Sequence, residues 1–222
     1  MVESQHIAAT MKLVDDRAEQ DLLESLLESS KPARVAASAR SDALDYLLAT
    51  PFRYDPRRGG SRFRSETDPG VFYGAETVRT AAAELGYWRW RFLNDAVDLE
   101  RLSPVPHTAF RTAIATQVVD LQRPPFDTDA AVWQHPRDYG PTQQFARVVR
   151  QSELVHGILY RSVRDPEPAW CLALLSPAGF ADTKPQPDRE TWYLAVTPHE
   201  VTLRRDTESM QFSMTHYAQL QS

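Results

Sequence analysis

The stretch "GSRFRSETDPGVFYGAETVRTAAAE", residues 60–84, passes from loop to strand to helix in one short run. Its first part is rich in Gly, Ser, Asp and Pro. These residues supply unusual or fixed backbone angles and local side-chain bonds, so the chain reads as loop up to Gly70. "VFYGA", residues 71–75, reads as a short strand. Side chains alternate along a strand, which puts Val71 and Tyr73 on one face and Phe72 on the other. Thr77 stands where a helix N-cap belongs, and "VRTAAAELGYWRWRFL", residues 78–93, follows as helix. At about 100° per residue, Ala81, Leu85, Trp88 and Phe92 share one helix face. Glu84 lies about 60° from Ala81, at the edge of that apolar stripe, where it is expected to be partly withdrawn from water.

Working outward, Thr108 to Leu121 reads as one long alternating strand, ended by Pro124 and Pro125. Short helical pieces are expected around Ala130 to Trp133 and Thr142 to Leu154. "HGILYRSVR", 156–164, reads as a strand running into a loop, and "AWCLALLS", 169–176, as a buried strand. "TWYLAVTPHEVTLRRD", 191–206, reads as a hairpin bent at Thr197, Pro198 and His199. Upstream, Met11 to Ser30 has helical periodicity through Leu13, Leu22, Leu23, Leu26 and Leu27, and Pro32 breaks it. Leu44, Leu47 and Leu48 lie on one face of a second helical stretch. Residues 1–50 are thus expected to form a helical extension packed on a main body of residues 51–222. Strands and helices mix without a strict β-α-β rhythm and without repeats, which points to an α+β fold.

Composition narrows the function. Hydrophobic residues are 42% and charged residues 25% of the 222, the balance of a globular protein. No apolar run approaches the roughly 18–20 residues of a membrane helix, and the start carries no secretory pattern. A cytoplasmic location is expected. The single cysteine, Cys171, excludes an intrachain disulfide and a cysteine-rich zinc site, and its apolar context suits a buried, inert thiol. A net charge of -5 argues against direct nucleic-acid binding. The basic residues are nearly all arginine, with lysine only at Lys12, Lys31 and Lys184, so an anion site would use the guanidinium fork. The sequence has no G-x-G-x-x-G, no Walker-type loop, no H-E-x-x-H and no G-x-S-x-G, and its histidines lack ligand spacing, so no metal is expected.

Four residues stand out for chemistry, and each also has an ordinary structural explanation. A carboxylate at the stripe edge needs a donor or a task. Glu84 therefore either pairs with Arg79, Arg89 or Arg91 or serves a site. Arg62 follows Gly-Gly-Ser, where backbone can approach a ligand and the fork can take two phosphate oxygens, or it is a solvated loop arginine. Tyr73 is a core-edge tyrosine or a ring platform. Ser162, where the strand runs into a proline-rich loop, is a loop serine or a donor to a phosphate or ribose oxygen.

Taken in order, Gly-x-Arg-Phe, the Tyr-bearing strand, Thr-Ala-x-x-Glu on a helix and Tyr-x-Ser-x-Arg further on resemble the RES-domain family, named for its Arg, Glu and Ser. The matching stretches are residues 60–84 and "GILYRSVRDPEPAWCLALLSP", within roughly Phe52 to Ser176. Many relatives have Gly-Arg-Trp where this chain has Ser61-Arg62-Phe63. Arg57, Arg58 and Arg64 lie nearby, but Arg62 aligns best. Arg53, in "PFRY", is a second candidate ligand-binding arginine. The resemblance implies a fold similar to ADP-ribosyltransferases, with a mixed β core and flanking helices. It also implies a toxin that consumes NAD⁺ by hydrolysis or phosphorolysis, or transfers ADP-ribose to protein; the further alternative is a catalytically silent module that only binds a partner. It implies an Xre-type helix-turn-helix antitoxin as partner, in a homo-oligomer or in a hetero-oligomer with that antitoxin.

The chemistry follows from the bond to be broken. Nicotinamide leaves C1′ of its ribose as a neutral ring, and the sugar gains oxocarbenium character. Glu84 would favour that charge, Tyr73 hold the ring, Arg62 anchor the phosphates, and Ser162 and Arg53 complete substrate binding, without a metal. Water, inorganic phosphate or a protein side chain is the acceptor. Arg53, Arg64 and Arg164 either hold phosphate or are surface charges.

Overall fold

The computed structural model describes residues 1–3, 43–53, 60–167 and 169–219. Its elements begin with β1 (Val2–Glu3), α1 (Tyr46–Arg53), β2 (Phe72–Ala75), α2 (Val78–Asp95), β3 (Leu102–Phe110) and β4 (Gln117–Asp120). A 3₁₀ turn (Phe126–Asp129) leads to α3 (Ala130–Trp133), α4 (Gly140–Val149), β5 (Val155–Arg161) and β6 (Trp170–Leu174). A second 3₁₀ turn (Pro177–Gly179) precedes β7 (Arg189–Val196), β8 (Glu200–Arg205), β9 (Glu208–Ser213) and α5 (Met214–Gln219). The strands form two sheets, one ordered β1-β3-β7-β8-β9 and one ordered β2-β6-β5-β4. Every pairing is antiparallel except β4 with β5. The fold is α+β.

Strand β2 and helix α2 form where the opening stretch predicts them. Thr77 caps α2, its hydroxyl accepting the Thr80 N–H at 3.1 Å. The face that α2 buries is not the expected one. Thr80, Ala82, Ala83, Gly86, Tyr87, Trp90 and Leu93 are buried, whereas Trp88 and Phe92 are exposed. The buried face packs on Trp192, Leu194, Val196, Val201, Leu203 and Phe212 of the five-stranded sheet. Small residues let the axis come close: a Cβ on Gly86 would stand 2.9 Å from Val201 Cγ1. The stripe of Ala81, Leu85, Trp88 and Phe92 lies off the sheet.

The four-stranded sheet is covered on both faces. Val71, Tyr160 and Ala173 pack with Phe63 and with Ala146 and Val149 of α4. Phe72, Leu172 and Leu174 pack with Phe180 and with Leu44, Leu48 and Ala49 at α1. Val71 and Phe72 thus point to opposite faces, as their spacing requires, and β6 is buried and apolar from Cys171 to Leu174, where both of its faces are covered. Leu44, Leu47 and Leu48 are all buried, but Leu44 precedes α1, and of the three only Leu44 and Leu48 join that cluster. Helix α1 runs through residues 50 and 51. The Met11 to Ser30 helix lies outside the described residues, as do residues 54–59 with Arg57 and Arg58.

Two further expectations need correction, and one strand was not foreseen. Thr108 to Leu121 is not one strand: it spans the end of β3, a connector and β4, which belong to different sheets. Pro104 and Pro106 disguise β3. Among the described residues β1 borders it only at His107 and Thr108, so no described strand pairs with that side of the proline positions. The helix expected to reach Leu154 stops at Val149, since the chain must turn before β5 begins at Val155. Strand β9 was not anticipated; a tight turn with Asp206 at φ 50° returns it along β8. The β7–β8 hairpin bends at residues 197–199 as expected.

Candidate active site

Residues 61–64 form a tight turn, with Ser61 N–H on the Arg64 carbonyl at 2.7 Å and the reverse bond at 3.2 Å. Helix α4 clamps it. Gln143 Nε2 donates to the carbonyls of Ser61 and Arg64 at 3.0 and 3.2 Å, and the Thr142 hydroxyl donates to the Arg62 carbonyl. Tyr73 closes the same turn from β2. Its hydroxyl accepts the Phe63 N–H at 3.0 Å and shares a hydrogen bond with Ser61 Oγ at 2.8 Å. Burial pushes this phenol up from its ordinary value, against the opposing effect of those two bonds. The hydroxyl end is thus fixed and covered, while the residue as a whole stays 37% exposed. The ring is a held platform with solvent beside it.

The turn directs Arg62 inward. Its Nη1 donates to the carbonyls of Trp133 and His135 at 2.8 and 3.0 Å, and its guanidinium carbon lies 4.9 Å from the centre of the Tyr139 ring. Both bonds run from Nη1, so Nη2 and Nε are not engaged by them.

Glu84 projects from α2, one helical turn beyond Thr80. Its Oε1 accepts the Ser162 hydroxyl at 2.7 Å. Ser162, just past β5, is buried, and its oxygen accepts the N–H groups of Arg164 and Asp165 at 3.3 and 3.1 Å. The one hydroxyl hydrogen goes to Glu84 and both lone pairs go to backbone, so Ser162 stands behind the carboxylate and aims it. Oε2 of Glu84 remains for a ligand. Two of the three arginines considered as partners turn elsewhere: Arg79 pairs with Asp165 and Glu167 at 3.4 and 3.1 Å, and Arg91 lies 3.8 Å from Asp95.

Arg164 is 1% exposed and lies 3.6 Å from the Tyr87 ring centre. Its Nη2 donates to the Pro136 carbonyl and, at 3.1 Å, to the Tyr139 hydroxyl, while its buried Nη1 has no hydrogen-bond partner. Arg62 and Arg164 therefore grip the same segment, residues 133–139, from two sides.

These groups enclose a cleft of about 240 Å³ walled by Arg62, Tyr73, Glu84, Trp88, Tyr139 and Arg164. Ala81 and Leu85 also face it, so the outer stripe of α2 is a cleft wall. The structure brings Arg62, Tyr73 and Glu84 together and sets Ser162 behind Glu84. Arg53 ends α1, and its side chain lies outside the described part of the molecule. Sequence reasoning missed Tyr139, which sits in the unremarkable loop "HPRDYGP". Cys171 is a free, buried thiol in the cleft wall. Burial, with the Glu84 charge adding, pushes it well above its ordinary range, and a thiol so raised is a poor nucleophile. Among the described residues no three His, Cys, Asp or Glu side chains group as metal ligands, and no helix is long and apolar enough to cross a membrane.

Fold and site together define an α+β protein with an Arg–Tyr–Glu cleft set between β2, α2 and the segment held by two buried arginines. The chain belongs to the RES-domain family: the RES domain model matches residues 31–196. The match takes in the elements from α1 to β7, while β1, β8, β9 and α5 lie beyond it, as does Met1, which also lines the cleft. No curated protein sequence matches the chain.

Proposed function

We propose that this protein is an NAD⁺-consuming enzyme that cleaves the bond between nicotinamide and C1′ of its ribose. RES-domain proteins are associated with NAD⁺-related toxin activity. The observation that carries the reading is Glu84: a carboxylate with one oxygen fixed by Ser162 and the other open to a cleft that also holds the Tyr73 ring and the Arg62 guanidinium.

The nicotinamide ring lies against Tyr73. Arg62, through the donors not bonded to Trp133 and His135, takes a phosphate oxygen. As the glycosidic bond breaks, its electron pair leaves with the ring nitrogen and nicotinamide departs neutral. Glu84 Oε2 accepts a ribose hydroxyl and favours the positive charge growing at C1′. Water then adds and loses a proton, giving ADP-ribose, or phosphate adds, giving its 1″-phosphate. One observation favours phosphate: Arg164 presents a buried cationic side chain with an unpartnered Nη1 beside the cleft. Transfer of ADP-ribose to a protein side chain is the second reading of the same site. In the cell we place the enzyme in the cytoplasm as the toxin of a pair, held by an Xre-type helix-turn-helix antitoxin.

The test is nicotinamide release from NAD⁺, with and without inorganic phosphate, read with product masses. Release is expected, and Glu84→Gln should lower it by about 100-fold or more, the scale of losing one pre-organised electrostatic group. No release under any condition would overturn the function. Undiminished release by Glu84→Gln would overturn the site. Label appearing on a protein rather than in a free product would favour the transfer reading.

A further inference from the structure

The apolar stripe on the outer face of α2 does not end with the cleft. Ala81, Leu85 and Trp88 line the cleft, but Trp88 and Phe92 continue into a second, shallower groove of about 610 Å³. Trp88 and Tyr139 line both spaces, so the groove adjoins the cleft. Trp88 is 41% and Phe92 55% exposed, large aromatic surface that no core element covers. Two cations flank them. Arg91 lies 5.6 Å over the Trp88 ring and holds Asp95 only loosely, at 3.8 Å between exposed side chains, a pair of little strength. Arg137, across the groove, is exposed and has no carboxylate partner among the described residues.

Size makes the groove relevant. Sites for drug-sized ligands occupy roughly 300–1,000 Å³. The cleft at about 240 Å³ falls below that range, enough for a nicotinamide and its ribose but short for a dinucleotide. Cleft and groove together fall well inside it. We infer that the groove is the subsite for the adenosine diphosphate half of the substrate. Adenine stacks on the Trp88 and Phe92 surface, Arg91 and Arg137 meet the pyrophosphate, and the Asp95 carboxylate accepts from the adenine amine or a ribose hydroxyl. Tyr139, between Arg62 and the groove, marks the crossing point. This inference rests on the proposed NAD⁺ chemistry for its ligand, but its site shares no hydrogen-bonding group with Glu84 or Ser162.

Nicotinamide mononucleotide and NAD⁺ separate the two halves, because both contain the scissile bond and only NAD⁺ carries the adenylate. In Arg91→Ala/Arg137→Ala the preference for NAD⁺ over the mononucleotide, as a ratio of kcat/KM, should fall at least tenfold, chiefly through KM for NAD⁺. ADP, measured by calorimetry, should bind the wild-type chain, bind Glu84→Gln as well, and bind the double variant at least tenfold more weakly. An unchanged preference, or an equal loss on both substrates, overturns the subsite. So does an absence of ADP binding to the wild-type chain, which is the outcome expected if the groove receives a protein partner instead. If neither substrate releases nicotinamide but ADP still binds and depends on Arg91 and Arg137, the subsite stands and the proposed reaction falls.

Discussion

Replacing Ser162 with alanine asks whether that hydroxyl touches substrate or works through Glu84. Its hydroxyl donates to Glu84 Oε1 at 2.7 Å and accepts the N–H groups of Arg164 and Asp165. A hydrogen bond to a charged group contributes about 1.5–3 kcal/mol. If the whole of it serves to hold the carboxylate at C1′, its loss lowers kcat by about 10- to 150-fold. KM for NAD⁺ should barely move, because Ser162 is not in the cleft wall. Two buried N–H groups also lose their acceptor, which costs a further ~2–3 kcal/mol of stability and about 4–12 °C in Tm. Steady-state nicotinamide release supplies kcat and KM, and circular dichroism with a melting curve establishes that the variant is folded at the assay temperature. Ser162→Thr keeps the hydroxyl and should recover most of kcat. The reasoning is refuted if Ser162→Ala raises KM while kcat holds, which would make the serine a substrate contact. It is equally refuted if kcat/KM stays within about twofold of wild type.

Two further predictions concern the fold itself. A Cβ on Gly70 would lie 1.8 Å from the Pro51 carbonyl oxygen, in the backbone of α1. Gly70→Ala must therefore displace α1 from the sheet, at about 3 kcal/mol and a Tm loss of about 6–12 °C. Gly74→Ala, whose nearest contact would be 3.6 Å away, should melt within about 2 °C of wild type; equal melting of the two variants would discount the α1 contact. The second prediction is alkaline sensitivity. Burial raises Tyr73, Tyr160, Tyr217 and Cys171, with the Glu84 charge adding for the last three. Unfolded, these groups release protons from about pH 8.5 to 10. Folded, they hold them, so the native state binds more protons and stability falls as pH rises. Their contribution is complete below about pH 8.5, and urea midpoints should drop steadily from there to pH 10.5; a flat midpoint across that window would contradict the burial of these groups.

What the sequence made legible was local. Thr77 announces a helix because a cap needs only its own neighbours, and Val71 and Phe72 part to opposite faces because the strand period is fixed. Arg62, Tyr73 and Glu84 could be read together because one turn, one strand and one helix in direct succession carry them. The partners that give those residues their roles lie far along the chain. Tyr139 and Arg164 reach the cleft only because Arg62 and Arg164 converge on the carbonyls of residues 133–136. No spacing rule contains that convergence. Ser162 was visible as a residue but not as a direction, and its orientation toward Glu84 is what makes it a support for the carboxylate. The misreading of α2 has a more general cause. Periodicity tells which residues share a helix face, but not whether protein or ligand covers that face. Here alanine and glycine took the sheet because small side chains permit close approach, with Tyr87 and Trp90 filling the flanks. That left Ala81, Leu85, Trp88 and Phe92 turned outward, with Glu84 among them. An apolar stripe holding a carboxylate, on the face of a helix turned away from its sheet, is therefore a pattern that marks a cleft wall as well as it marks a core.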